Sequence, residues 1–147
     1  MEQEISFERI PTHIYSDSDL ASKSVAKEIA DLIRQNNQAG KPSILGLATG
    51  SSPKKVYQEL IRIHREEGLS FKNVITFNLD EYYPMQPTDV QSYVSFMNEN
   101  LFDHIDIDKN NVHIPDGTIK LEDIPAFCLA YERKITDVGG LDMQILG

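Results

Sequence analysis

The sequence predicts an α/β fold with three layers, a parallel sheet between helices, and three observations carry that expectation. Short apolar runs at 44–47, 74–77 and 141–146 alternate with longer segments whose apolar residues recur every three or four positions. Two of those runs end abruptly, one in Thr49-Gly50-Ser51-Ser52 and the other in Asp80-Glu81, as strands do when their carboxyl ends face a ligand crevice. The chain of 147 residues is the size of one domain and long enough to bury a real core.

The first helix is expected from about Asp17 to Asn37, with Leu20, Val25, Ile29, Leu32 and Ile33 on one stripe and Ser16 or Ser18 as its cap. Gly40 and Pro42 stop it, and Pro42 opens the buried strand at 44–47. A second helix follows at once, capped by Ser52 with Pro53 as its first residue, carrying Val56, Tyr57, Leu60, Ile61 and His64 on one face and ending at Gly68. The run 74–77 is the next buried strand, and Pro84 and Pro87 make a loop after it. A third helix is expected from near Asp89 to about Phe102, with Tyr93, Met97 and Leu101 on its apolar side. A short strand at 111–115, a fourth helix from about Asp123 to Val138 and a last strand at 141–146 complete the alternation. Alternating strands and helices imply right-handed crossovers and helices on both faces of the sheet.

Composition narrows the function. With 14 basic and 23 acidic residues the net charge is −9, which argues against nucleic acid or an anionic membrane as partner, since both attract a basic face. One phosphorylated ligand needs only local N–H donors and a few cations, so overall acidity leaves it open. Cys128 is the single cysteine, excluding an internal disulfide and a multi-cysteine zinc site, and a reducing cytoplasm fits. It lies between Phe127 and Leu129 and is expected to be a buried, inert thiol. The amino terminus lacks the basic start and apolar core of a signal peptide, and no apolar run reaches membrane-spanning length. His13, His64, His104 and His113 show no ligand spacing, so neither metal nor other cofactor is expected.

Two stretches carry chemistry. In Thr49-Gly50-Ser51-Ser52, glycine lets the backbone approach a ligand, hydroxyls add donors, and the free N–H groups of the following helix favour an anion. The spacing matches neither G-x-G-x-x-G nor G-x-x-x-x-G-K-[ST], so no nucleotide is favoured, and a plainly structural helix cap would use the same residues. Lys54 and Lys55 can reach an anion there or lie in solvent. Asp80 and Glu81 end the next strand, with Tyr82, Tyr83 and the proline loop as partial shields. Adjacent extended residues point to opposite sides, so one carboxylate faces the ligand as a general base while the other caps, braces a loop or meets a neighbouring subunit. Both also serve as ordinary loop-capping residues.

Leu45-Gly46-Leu47-Ala48-Thr49-Gly50-Ser51-Ser52-Pro53, Phe77-Asn78-Leu79-Asp80-Glu81-Tyr82, Ser92-Tyr93-Val94-Ser95-Phe96-Met97 and Phe102-Asp103-His104-Ile105 resemble, in order and spacing, motifs of the glucosamine-6-phosphate deaminase family. The resemblance implies a Rossmann-like fold of the kind shared by such deaminases, ribose-5-phosphate isomerases and CoA-transferases. It further implies an aldose-to-ketose isomerisation with hydrolytic loss of ammonia, turning glucosamine 6-phosphate and water into fructose 6-phosphate. Asp80 would move a proton between C2 and C1 through an enolamine, Thr49, Gly50, Ser51 and Ser52 would hold the sugar phosphate, and Glu81 and Tyr82 would support them. The family's ring-opening histidine lies in a G-x-x-G-H-I-x-F-N-E type loop after the strand equivalent to 141–146, and its remaining phosphate-binding cations lie further on. A single domain over residues 1–147 therefore reads as the amino-terminal part of a longer catalytic domain, inactive by itself and exposing apolar surface. A homo-oligomer and a cytoplasmic location are expected for the whole. Two alternatives stay open: a 6-phosphogluconolactonase, whose signature has Asp-Glu-Arg where this chain has Asp80-Glu81-Tyr82, and a sugar-phosphate sensor without chemistry.

Overall fold

A computed structural model describes residues 10–147, so the amino-terminal stretch read for a signal peptide lies outside the described residues. Helix α1, Ser18–Gln38, starts on Asp17, whose carboxylate accepts from the N–H groups of Asp19 at 3.0 Å and Leu20 at 2.9 Å. Asp17 thus takes the capping place expected of Ser16 or Ser18. The buried face is Ala26, Ile29, Ala30 and Ile33, whereas Leu20 and Val25 are 49% and 38% exposed. The two alanines allow α1 to lie close against the next helix, and the buried face keeps Ile29 and Ile33 of the expected stripe while leaving Leu20 and Val25 at its rim.

Four parallel strands form the sheet in the order β3-β2-β1-β4, with β1 at Ser43–Leu47, β2 at Val74–Asn78, β3 at Val112–His113 and β4 at Met143–Gln144. Both central strands are short and apolar because both their faces are covered. Their register runs from Ser43 opposite Val74 to Leu47 opposite Asn78, so they end level. Thr49 and Asp80, each two residues beyond its strand, are thereby brought to the same edge.

Helices α2, Ser51–Glu67, and α3, Tyr93–Asn100, join α1 over one face of the sheet, where Ile29, Ile33, Leu47, Leu60, Met97 and Phe102 are among the core residues. On α2 the core takes Ile63 as well as Val56, Tyr57 and Leu60, and the Gly68 stop holds with φ 71°. The third helix begins later than expected because Ser92 is its cap: the Ser92 hydroxyl accepts the Ser95 N–H at 3.0 Å and donates to the Pro87 carbonyl at 3.0 Å. Helix α4, Ile124–Asp137, covers the other face, with Tyr131 edge-on to Phe77 and Phe77 stacked on His113 at 4.6 Å. Its contact stripe is narrow, Ile124, Phe127, Tyr131, Ile135 and Val138, all half-buried. Cys128 lies beside that stripe and is exposed, which corrects the expected buried thiol. Among the described residues no helix is long and apolar enough to cross a membrane.

Candidate active site

The turn after β1 is built by backbone conformation more than by side chains. Gly50 holds φ 107° and ψ −177°, a region open essentially to glycine alone, and swings the chain from strand into helix. It is Gly50, and not Ser52, that stands at the N-cap; α2 starts at Ser51, and Pro53 is its third residue, where a missing N–H costs nothing. No side chain caps this helix end, so its leading N–H groups are offered to a ligand. Ser51 and Ser52 are exposed and Thr49 half-buried. The two lysines separate: Lys54 stands 5.3 Å over the Phe96 ring at the mouth of the turn, whereas Lys55 bonds the Ser18 hydroxyl at 2.8 Å and pairs with Asp19 on α1.

The carboxylate pair divides its work. The Leu79 N–H donates to the Leu47 carbonyl at 3.2 Å, carrying the ladder one residue past β2 before Asp80 and Glu81 leave it. Glu81 turns back and accepts from the N–H groups of Tyr93 at 2.9 Å, Val94 at 3.3 Å and Tyr82 at 2.8 Å, which makes it a carboxylate cap on α3. Asp80 is exposed at the strand end. Tyr82, Tyr83 and the proline loop, expected to shield it in part, leave it exposed; the two tyrosines are themselves 54% and 49% exposed, and the Met85 N–H of the loop donates to the Gly117 carbonyl at 2.9 Å. A Cβ on Gly117 would come within 2.7 Å of the Tyr82 and Met85 carbonyls, so only glycine permits this closeness.

Tyr93 is the member of the site that periodicity hid, since a tyrosine at an apolar helical position reads as core. Its ring lies 4.7 Å from that of Tyr82, and together with Thr49, Gly50, Lys54 and Phe96 the pair lines an open cleft of about 450 Å³. The Tyr93 phenol is pushed above its ordinary value, first by the neighbouring Tyr82 hydroxyl and then by burial, with the negative charge of Asp80 adding to the effect and the Thr49 hydroxyl opposing it. Gly147, three residues beyond β4, lies against the same turn, where a Cβ would be 3.6 Å from the Thr49 carbonyl oxygen. Beneath them the buried Asn78 amide ends β2 unpaired, a polar cost placed where the strand ends meet the site.

The histidines do other work. His64 Nδ1 donates to the Leu69 carbonyl at 2.5 Å, His104 Nε2 to that of Glu99 at 2.8 Å, and His113 stacks on Phe77. Among the described residues no three His, Cys, Asp or Glu side chains gather as metal ligands.

A parallel sheet whose adjacent strands end level, one in an open N–H turn and the other in a free carboxylate, places the chain among open-sheet α/β proteins with a crevice at the carboxyl ends of the strands. Residues 16–147 match the family of glucosamine-6-phosphate isomerases and 6-phosphogluconolactonases, and the chain belongs to that family. It is 47% identical over 140 residues to a glucosamine-6-phosphate deaminase-like protein of Bacteroides thetaiotaomicron, covering 95% of this chain and 21% of that one. It is 48% identical over 126 residues to the glucosamine-6-phosphate deaminase of Clostridium perfringens strain SM101, covering 86% of this chain and 50% of the relative. Among solved structures, a monomeric glucosamine-6-phosphate deaminase superposes with a TM-score of 0.82 at 37% identity, over 88% of this chain and 52% of that one. The 6-phosphogluconolactonase of Thermotoga maritima superposes with a TM-score of 0.68 at 25% identity, over 86% and 55%. The chain therefore spans half or less of the length of these two curated relatives.

Proposed function

We propose that this chain supplies the phosphate turn and the proton-transferring base of an amino-sugar phosphate isomerase-deaminase, which converts glucosamine 6-phosphate and water to fructose 6-phosphate and ammonia. The observation that carries the reading is the level ending of β1 and β2, which sets the Thr49 turn beside Asp80. Thr49, Gly50, Ser51 and Ser52 hold the phosphate by N–H and hydroxyl donation, fixing the far end of the opened sugar so that C2 lies over Asp80. Asp80 takes the C2 proton, the electron pair left at C2 forms the C1–C2 double bond of the enolamine as the C1 carbonyl oxygen takes up a proton given up by the substrate's ammonium group, and the same carboxylate returns its proton to C1, leaving a C2 imine and a C1 hydroxyl. Water then adds to the resulting C2 imine, and ammonia leaves. Glu81, which caps the amino end of α3, and Tyr82, whose ring lies against that of Tyr93, would support the turn and the base from behind.

The 6-phosphogluconolactonase reading shares the fold and the phosphate turn, but it has less support: Tyr82 stands where that signature has arginine, and the superposition is weaker. A sensor without chemistry has less support, because an exposed carboxylate at the strand end suits a base as well as a ligand contact, and ligand binding with no turnover of either sugar phosphate is the result that would favour it. The protein is read as acting in the cytoplasm as a homo-oligomer. Ammonia release from glucosamine 6-phosphate by the complete protein tests the function, and Asp80→Asn is expected to lower kcat by about a hundredfold to ten-thousandfold. Unchanged turnover in that variant removes Asp80 from the role, and acid release from 6-phosphogluconolactone in place of ammonia transfers the protein to the lactonase reading.

A further inference from the structure

We infer that Tyr57 is a positioning residue for the phosphate turn, setting the direction of the Thr49 N–H through the carbonyl of Ala48; the inference rests on the proposed role of that turn. Tyr57 lies two turns inside α2 and is 0% exposed, packed among Leu47, Leu60 and the residues of α1. Its hydroxyl reaches back along the helix and donates to the Ala48 carbonyl at 2.5 Å. A buried phenol needs such a partner, but this acceptor belongs to the one peptide that joins β1 to the turn.

The peptide group is planar and trans, so its C=O and N–H point in opposite directions. With the Ala48 oxygen anchored inward to Tyr57, the N–H of Thr49 on the same peptide must point away from the core, toward the edge where the leading amides of α2 are open. The next residue, Gly50, holds the glycine-only conformation that turns those amides the same way. The anchor also removes a defect: without the phenol the Ala48 carbonyl, in a residue 5% exposed, has no local reason to keep this orientation. The turn thus has two independent constraints, a glycine at position 50 and a hydroxyl from position 57, and only the second comes from outside the motif.

Titration of the chain with inorganic phosphate, followed at the backbone amides by nuclear magnetic resonance, tests this. Phosphate is expected to shift Thr49, Gly50, Ser51 and Ser52 saturably, and Tyr57→Phe to weaken that binding by about tenfold while shrinking the Thr49 shift most. Leu60→Ala, a cavity on the same buried face, is expected to lower stability but leave phosphate affinity within twofold, separating positioning from loss of packing. In the native protein, hydrogen exchange at Thr49 is expected to be fast without phosphate and slowed at saturation, a reading that does not depend on either variant folding. A Thr49 amide protected without phosphate, Tyr57→Phe binding as tightly as native, or equal weakening by Leu60→Ala each overturns the inference. Absence of any phosphate response in the native chain removes the phosphate turn and the inference together, whereas phosphate binding without deaminase turnover in the complete protein removes only the reaction.

Discussion

Glu81 and Asp80 are neighbours in sequence with opposite duties, and the difference lies in what each can reach. Glu81 accepts from three backbone N–H groups, two of them the first amides of α3, so Glu81→Ala is expected to cost about 1–2 kcal/mol, read from urea unfolding, and to loosen the Tyr82–Tyr93 pair. Asp80→Ala removes an exposed carboxylate and is expected to leave stability within about 0.5 kcal/mol, so the same measurement separates the two roles. Gly50 offers a second contrast. No atom lies within 4 Å of a Cβ built there, so Gly50→Ala meets no clash, yet its φ of 107° makes the substitution cost about 1–3 kcal/mol, either unfolding the turn or distorting it. Strand alternation led to the expectation that the two carboxylates would part, and they do so: Glu81 braces α3 while Asp80 stays exposed. Which of them braces depended on where α3 begins, a tertiary fact carried by Ser92 and the Pro87 carbonyl. Tyr57 and Tyr93 stayed hidden for a similar reason: helical periodicity counts a tyrosine as apolar and says nothing about where its hydroxyl goes.

Elements were more legible than their contacts. Gly68, Pro42 and the proline loop mark ends that local chemistry alone determines, and the apolar runs at 44–47 and 74–77 are buried in the parallel sheet, whereas of the run 141–146 only Met143 and Gln144 pair as strand and Leu146 stays 74% exposed. The stripe on α1 held at Ile29 and Ile33 but failed at Leu20 and Val25, because a hydropathy pattern favours those two over Ala26 and Ala30, while close helix packing favours the small residues. Beyond α2, the segment after Gly68 is held by Asp106, whose carboxylate accepts the Phe71 N–H at 2.6 Å and the Ser70 hydroxyl at 2.9 Å, with His64 Nδ1 at 3.7 Å. Burial pushes the Asp106 carboxyl up, but the Phe71 N–H, the Ser70 hydroxyl and His64 together hold it below its ordinary 3.8. A folded value below the unfolded one means that the stabilisation is complete above the unfolded value and is lost as pH falls from there through the folded value. Thermal unfolding between pH 2 and 6 is therefore expected to show an acid limb below about pH 3.8 that flattens in Asp106→Asn, on a lower plateau. An unchanged limb in that variant would assign the acid sensitivity to other carboxylates.

At the scale of the whole molecule, two opposing surface properties decide how the chain behaves alone. The sheet has both edges lightly built: β3 and β4 pair through two residues each, so β4 offers free backbone groups along much of its outer side. Large apolar side chains stand open nearby in sequence, with Leu121 72%, Leu129 62% and Leu146 74% exposed, and α4 buries none of its residues completely. Such surface favours association between copies. Against it stands a net charge of −9, which keeps like chains apart at long range. The two respond differently to salt, since screening shortens the reach of charge repulsion to about 8 Å at physiological ionic strength while leaving apolar burial intact. Light scattering of the 147-residue chain is accordingly expected to give a mass that rises with concentration, and more steeply at 0.5 M than at about 0.05 M salt. The double substitution Leu129→Lys with Leu146→Lys is expected to lower that mass without altering unfolding by more than about 1 kcal/mol, because neither side chain is buried. A monomer at every concentration and salt level would show that β4 and α4 are not adhesive as they stand, and assembly of the complete protein would then have to use some other surface.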